Sequence, residues 1–190
     1  MKKDFIRIKE EMDSFDELRE AIIKESRGLL KASKQAIYSL HRKDNKRAEE
    51  LLAEAKNIKE ALEQKITTPQ LRTGGFSNAC EEYAEAAAFN HFLKHGTLIA
   101  FDELGVSNEE YLGGLADLTG ELGRQAVILA TNRDKKAVEL IKNFTEELYG
   151  EFVQFDFRNG ELRRKYDSIK YNLQKMERVL YDLELQAKEE

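Results

Sequence analysis

The chain has 190 residues, with 31 Lys plus Arg against 36 Asp plus Glu, a net charge of −5, 41% hydrophobic and 35% charged residues. That mixture is too apolar for a disordered segment and suits helices with one buried stripe and one wet face; the length supports one substantial core, so a single domain over residues 1–190 is expected. The negative balance argues against a free-standing nucleic-acid binder unless basic residues gather locally. No apolar run approaches the roughly eighteen residues of a membrane helix, and the opening MKKDFIRIKEEMD has no apolar core for a signal peptide.

The sole proline, Pro69, leaves long helices open elsewhere. A first helix carries Phe15, Leu18, Ile22, Leu29, Ala36 and Leu40 on one face and stops near His41 to Lys43. Asp44 or Asn45 caps a second, highly charged helix to about Gln64. Thr67 to Gly75, with Pro69 and the Gly74-Gly75 pair, reads as a loop. A third helix starts near Ser77 and continues towards Phe101, and Gly105 closes that region. Glu110 stands three residues after Ser107, a capping box that opens a fourth helix. A fifth follows Asn132 to Asp134 and ends before Asn159-Gly160.

The last segment is the most regular, with Leu162, Tyr166, Ile169, Leu173, Met176, Val179 and Leu183 three or four residues apart. No stretch alternates with period two, so the fold class is all-α: an antiparallel bundle of six to seven helices. Cys80 is alone, which excludes an intrachain disulfide and a thiolate metal site. It reads as a small buried hydrophobe in a reduced, cytoplasmic setting.

Two short runs combine acids with small residues. In Glu81-Glu82-Tyr83-Ala84-Glu85-Ala86-Ala87-Ala88, Glu82 and Glu85 are three apart and share a helix face; in the run from Gly113 to Glu121, Asp117 and Glu121 are four apart and also share one. Like charges at this spacing weaken a helix, and each internal glycine costs about 1 kcal/mol against alanine. Ala84, Ala87, Ala88, Gly113 and Gly120 would let two helix backbones approach and gather the acids. A partly buried group of carboxylates must be protonated or neutralised by cations, and oxygen-only donors favour Mg²⁺ or Mn²⁺. The plainer reading of either run is a solvated face. A ferritin-like di-iron centre is excluded, because the residues three before His41, His91 and His95 are Tyr38, Ala88 and Phe92 rather than Glu. There is no phosphate-binding glycine loop, nucleophile elbow or zinc signature.

These runs resemble the translin/Trax family. EEYAEAAAFNHFL (81–93) is similar to the Trax signature Q-E-Y-V-E-A-V-x-F-x-H-F, and DLTGELGR (117–124) to its D-L-T-G-E-L-x-R. Upstream, SKQAIYSLHR (33–42) resembles S-K-x-x-I-x-x-L-H-R of Trax; downstream, LRRKYDSIKYNLQKMERVLYDLEL (162–185) resembles the last helix of translin. The likeness runs from about residue 20 to residue 187 and mixes both subunit types, which implies one chain serving both roles in a homo-oligomer. Departures are Glu81 in place of Gln, the short link GVSNEE without the insertion of animal Trax, and a second helix that matches only in pattern.

The resemblance implies an Mg²⁺-dependent endoribonuclease acting on single-stranded RNA, with single-stranded DNA a further ligand, in an octamer-like assembly free of any membrane. It puts the family's acidic residues on Glu82, Glu85, Asp117 and Glu121. Glu85 and Glu121 are expected to hold the ion directly, with Glu82 and Asp117 completing the shell or serving as general base. Candidate RNA contacts are Lys34, His41, Arg42, Lys46 and Arg47 around the first helix junction, with Arg72 and Arg124. The alternatives are a non-catalytic, translin-like RNA or DNA binder and a structural assembly protein that uses its last helix as an interface.

Overall fold

The computed structural model describes residues 1–189, which form seven α-helices and no strand among them. They divide into two compact units, residues 1–83 and the chain from Ala84 onward. No helix among the described residues is long and apolar enough to cross a membrane.

The first unit contains α1 (Lys2–His41), α2 (Asn45–Lys65), a 3-10 turn (Pro69–Leu71) and the opening of α3 (Gly74–His95). α1 and α2 pack as a helical hairpin, burying Ile22, Leu29, Ala36, Ile37 and Leu40 on α1 and Ala48, Leu51, Ala55 and Leu62 on α2. The corner between them is built by the expected cap: Asp44 accepts a hydrogen bond from the Arg47 amide at 3.2 Å. Lys43 takes the left-handed conformation at φ 61°. Lys59 is buried on α2 and gives both oxygens of Glu63 a hydrogen bond at 3.0 Å, one turn away. Cys80 is fully buried, as expected.

Thr73 starts α3 three residues before the expected Ser77, because its Oγ1 accepts from the Phe76 amide at 3.3 Å and its carbonyl takes the Phe76 and Ser77 amides. The other end also departs from expectation. α3 stops at His95, where Gly96 turns left-handed at φ 69°, and Phe101–Leu104 forms a separate short α4.

The second unit holds the rest of α3, α4, α5 (Asn108–Thr131), α6 (Lys135–Phe152) and α7 (Glu161–Glu189). The capping box opens α5 as read from sequence: Glu110 N donates to Ser107 Oγ at 3.3 Å, and Ser107 N donates to Glu110 Oε2 at 2.8 Å. α5, α6 and α7 pack against one another. They bury Leu115, Leu118, Leu122 and Ala126 with Val138, Ile141, Leu148 and Phe152 and with Ile169, Leu173 and Met176. The α5–α6 corner repeats the α1–α2 corner, with Arg133 left-handed at φ 57° and Asp134 accepting from the Ala137 amide. α6 ends well before Asn159. Beyond it Phe155 and Phe157 stack on each other at 5.4 Å beside Phe152 and Tyr166, a packing the helix could not have continued through.

Candidate functional site

Glu82 and Glu85 both sit on α3, Glu82 in the first unit and Glu85 in the second. Burial separates them: Glu85 is 7% exposed, whereas Glu82 is half-buried. Lys34 Nζ stands 3.7 Å from Glu82 Oε2. A residue expected to touch RNA therefore lies beside one expected to hold metal. The small residues Ala84, Ala86, Ala87 and Ala88 are buried.

Asp117 and Glu121 lie one turn apart on α5 and are half-buried. Lys165, on α7, donates a hydrogen bond to Asp117 Oδ2. The pair is shielded, with side-chain exposures of 18% for Lys165 and 36% for Asp117. Arg124 Nη1 lies 3.9 Å from Glu121 Oε2. Two turns beyond Lys165, Asn172 Nδ2 donates to Thr119 Oγ1 at 2.8 Å.

Two glycines of α5, Gly120 and Gly123, face α7. A Cβ at Gly120 would meet Asn172 Nδ2 at 3.8 Å, and one at Gly123 would meet Met176 Cε at 3.7 Å. Gly120 therefore leaves space on the α7 side of α5.

Three of the four acids, all half-buried, have a cation within 4 Å. Lys34 serves Glu82, Lys165 serves Asp117 and Arg124 serves Glu121. Among the described residues no group of three or more His, Cys, Asp or Glu side chains is assembled to hold a metal ion. The donor chemistry itself suits a hard cation: every donor is a carboxylate oxygen, and Asp117 already seats a cationic group.

The predicted RNA contacts fall into separate places. His41, Arg42, Lys46 and Arg47 cluster at the α1–α2 corner. His41 is half-buried, Lys46 is exposed, and Arg47 pairs with Glu50 at 3.2 Å. The Arg42 guanidinium lies 5.6 Å over the exposed Tyr38 ring and donates to its hydroxyl at 3.2 Å. Arg72 is half-buried, 5.1 Å over the Phe76 ring. Arg124 is exposed in the second unit.

Two residues escaped the sequence reading. Lys165 lies between Leu162 and Ile169 on the buried stripe of α7, and a lysine on that stripe was the available signal. Tyr38 is one turn from Arg42, the spacing at which an aromatic and a cation meet on a helix.

Beside Glu82, Tyr83 is buried, and its phenol is raised above the ordinary value of 10.0, by burial first and then by Glu60, Cys80 and Glu63. Tyr83 is therefore a neutral wall to the acidic run.

An all-helical chain with acids paired along two of its helices is the class of protein these residues define. The chain belongs to the translin family, whose model matches residues 17–187. It is 26% identical to translin-associated protein X of Pongo abelii over 97% of this chain and 79% of that protein. An uncharacterised protein of Methanocaldococcus jannaschii is 30% identical over 84% of this chain and 73% of its own length. In fold, the chain matches the structure of AfC3PO in complex with duplex RNA, with a TM-score of 0.90, full coverage of both chains and 23% identity.

Proposed function

We propose that the chain is the subunit of a metal-dependent endoribonuclease that works as a homo-oligomer in the cytoplasm. The observation that carries this reading is Asp117: a half-buried carboxylate one turn from Glu121, already seating a cationic group, within the run DLTGELGR. Membership of the translin family and similarity to translin-associated protein X support it.

In this reading Glu85, which is buried, and Glu121 would hold Mg²⁺ or Mn²⁺. A bound ion supplies an acidified water and offsets charge on the phosphate. Glu82 or Asp117 would serve as general base toward the attacking water. Arg124, exposed beside Glu121, offers a charge-assisted hydrogen bond to a phosphate oxygen. At the α1–α2 corner, Arg42, Lys46 and Arg47 meet the backbone, and Tyr38 offers an exposed ring on which a base can stack.

A second reading, a non-catalytic RNA binder, is favoured by the cation beside each of Glu82, Asp117 and Glu121. One experiment separates the two. Labelled single-stranded and duplex RNA, the latter because AfC3PO of the same fold is seen with duplex RNA, are incubated with the protein in Mg²⁺ or in EDTA. Cleavage in Mg²⁺ that EDTA abolishes supports the nuclease; retention of RNA without cleavage in either condition supports the binder.

A further inference from the structure

α1 is longer than the hairpin it belongs to. Lys65, the last residue of α2, gives Glu25 hydrogen bonds at 2.7 and 2.6 Å. α2 ends there along α1, and residues 2–21 run on beyond it for about 30 Å. The apolar stripe does not stop with α2. Ile8, Phe15, Ile22, Leu29 and Ala36 follow one another at every seventh residue. The last three are fully buried, whereas Ile8 is 46%, Phe5 69% and Met12 62% exposed. A helix of this length without packing is marginal in water, and pairs along it such as Lys9 with Asp13 contribute little. The bare stripe calls for a partner. Its first turns are basic: residues 2–9 hold Lys2, Lys3, Arg7 and Lys9 against Asp4, and Lys2 and Lys9, seven apart, run along one edge of the stripe.

The second unit offers a complementary surface. Leu98, Phe144 and Leu148 line a groove of ≈ 540 Å³ that also carries Glu147 and Glu151. An adjoining groove shares Phe144 and Glu147 and leads past Leu140, which is exposed, to Glu139 and Lys136. The Phe92 ring stands 4.4 Å from that of Phe144 and backs the floor. From Lys136 to Glu151 the two grooves follow α6 for about 20 Å, room for three turns of helix.

We infer that the first turns of α1 dock, apolar stripe down, into this groove of a second copy of the chain, with Lys2 and Lys9 beside Glu147 and Glu151. The inference rests on the homo-oligomer part of the reading above and is independent of the nuclease part. The two surfaces differ, so the contact is head-to-tail and repeats from copy to copy. The acids Glu10, Glu11, Asp13, Asp16 and Glu17, which follow the basic turns, disfavour an anionic lipid surface as the alternative cover.

The test uses the full chain in two charge-reversed forms, Lys2→Glu/Lys9→Glu and Glu147→Lys/Glu151→Lys, followed by sedimentation velocity without RNA. All four positions are exposed, so both forms are expected to keep the wild-type circular dichroism and melting temperature. Each alone is expected to lose about tenfold in association constant and to sediment as smaller species. Mixed in equal amounts they are expected to recover the wild-type size, because the acidic helix of one then meets the basic groove of the other. Wild-type assembly by both forms, or a mixture that stays dissociated, overturns the docking and leaves the homo-oligomer reading intact. Loss in the helix form alone shows α1 pairing with itself and also overturns it. A wild type that is monomeric at every concentration removes both readings, and its flotation with phosphatidylserine vesicles would assign the stripe to a membrane surface.

Discussion

Replacing Asp117 by Asn keeps the shape of the side chain and removes the charge that Lys165 faces. Its effect on stability can be worked from the burial of the pair. Hydrogen bonds to charged groups contribute about 1.5–3 kcal/mol net, and fully exposed ion pairs about 0.2–1 kcal/mol. Lys165 is 18% and Asp117 36% exposed, so the pair lies between these limits, at about 1–1.5 kcal/mol. In a chain of this length ~1 kcal/mol moves Tm by roughly 2–4 °C, so Asp117→Asn in EDTA is expected to melt about 3–5 °C lower. Lys165→Gln should lose a similar amount, since it leaves a partly buried carboxylate without its ammonium. The double variant should lose less than the sum, giving a coupling of about 1 kcal/mol in a double-mutant cycle followed by circular dichroism. Strict additivity would refute the reasoning, because it would mean that the hydrogen bond between α5 and α7 contributes no free energy.

Further outcomes follow from other parts of the structure. Gly120→Ala and Gly123→Ala place a Cβ in ordinary contact at 3.8 and 3.7 Å, so the gain in helix propensity should dominate and raise stability by about 0.5–1 kcal/mol each in urea unfolding; destabilisation would show that α7 cannot yield even a methyl's width. Lys43→Gly relieves the left-handed backbone at φ 61° and should stabilise the α1–α2 corner by about 0.5–1 kcal/mol, after allowing for the entropy glycine adds to the unfolded chain. Tyr83 holds its proton more tightly when folded, since burial raises its phenol above 10.0. Its contribution to stability is therefore full below that value and lost as pH rises through the raised one. Tyr83→Phe should flatten the alkaline fall in the urea midpoint. RNA affinity should drop steeply as salt rises, and charge removal at Arg42 and Lys46 together should lower the slope of log K against log salt by about 1–2; an unchanged slope would remove that corner from the interface.

The parts of this molecule that could be read from sequence are those set by neighbours in the chain. Asp44 and Ser107 cap their helices as expected because a cap is a local hydrogen bond within three residues. The seam of α7 is legible at its centre, where Ile169, Leu173 and Met176 are buried; Leu162, Tyr166, Val179 and Leu183 towards its ends are only half-buried. The early start of α3 was missed because Gly74-Gly75 looks like a loop, while Thr73 had the hydroxyl that caps it. α6 stops at Phe152 because the aromatic rings that follow pack on Tyr166 of another helix, a tertiary contact without a local signal. The acids were visible as pairs at helical spacing, but their cations were not. Lys165 lies 48 residues from Asp117 and Lys34 the same distance from Glu82, so only folding reveals either partner.

The most direct test of the nuclease reading is the single-turnover cleavage rate of Asp117→Ala and Glu82→Ala in Mg²⁺, measured beside RNA binding and oligomer size for the same preparations. The account predicts that cleavage falls at least a hundredfold, about 2.7 kcal/mol in the barrier, with binding and assembly essentially unchanged. Variants that cut at the wild-type rate would contradict it and leave an RNA-binding helical protein whose acids serve only to balance its lysines and arginines.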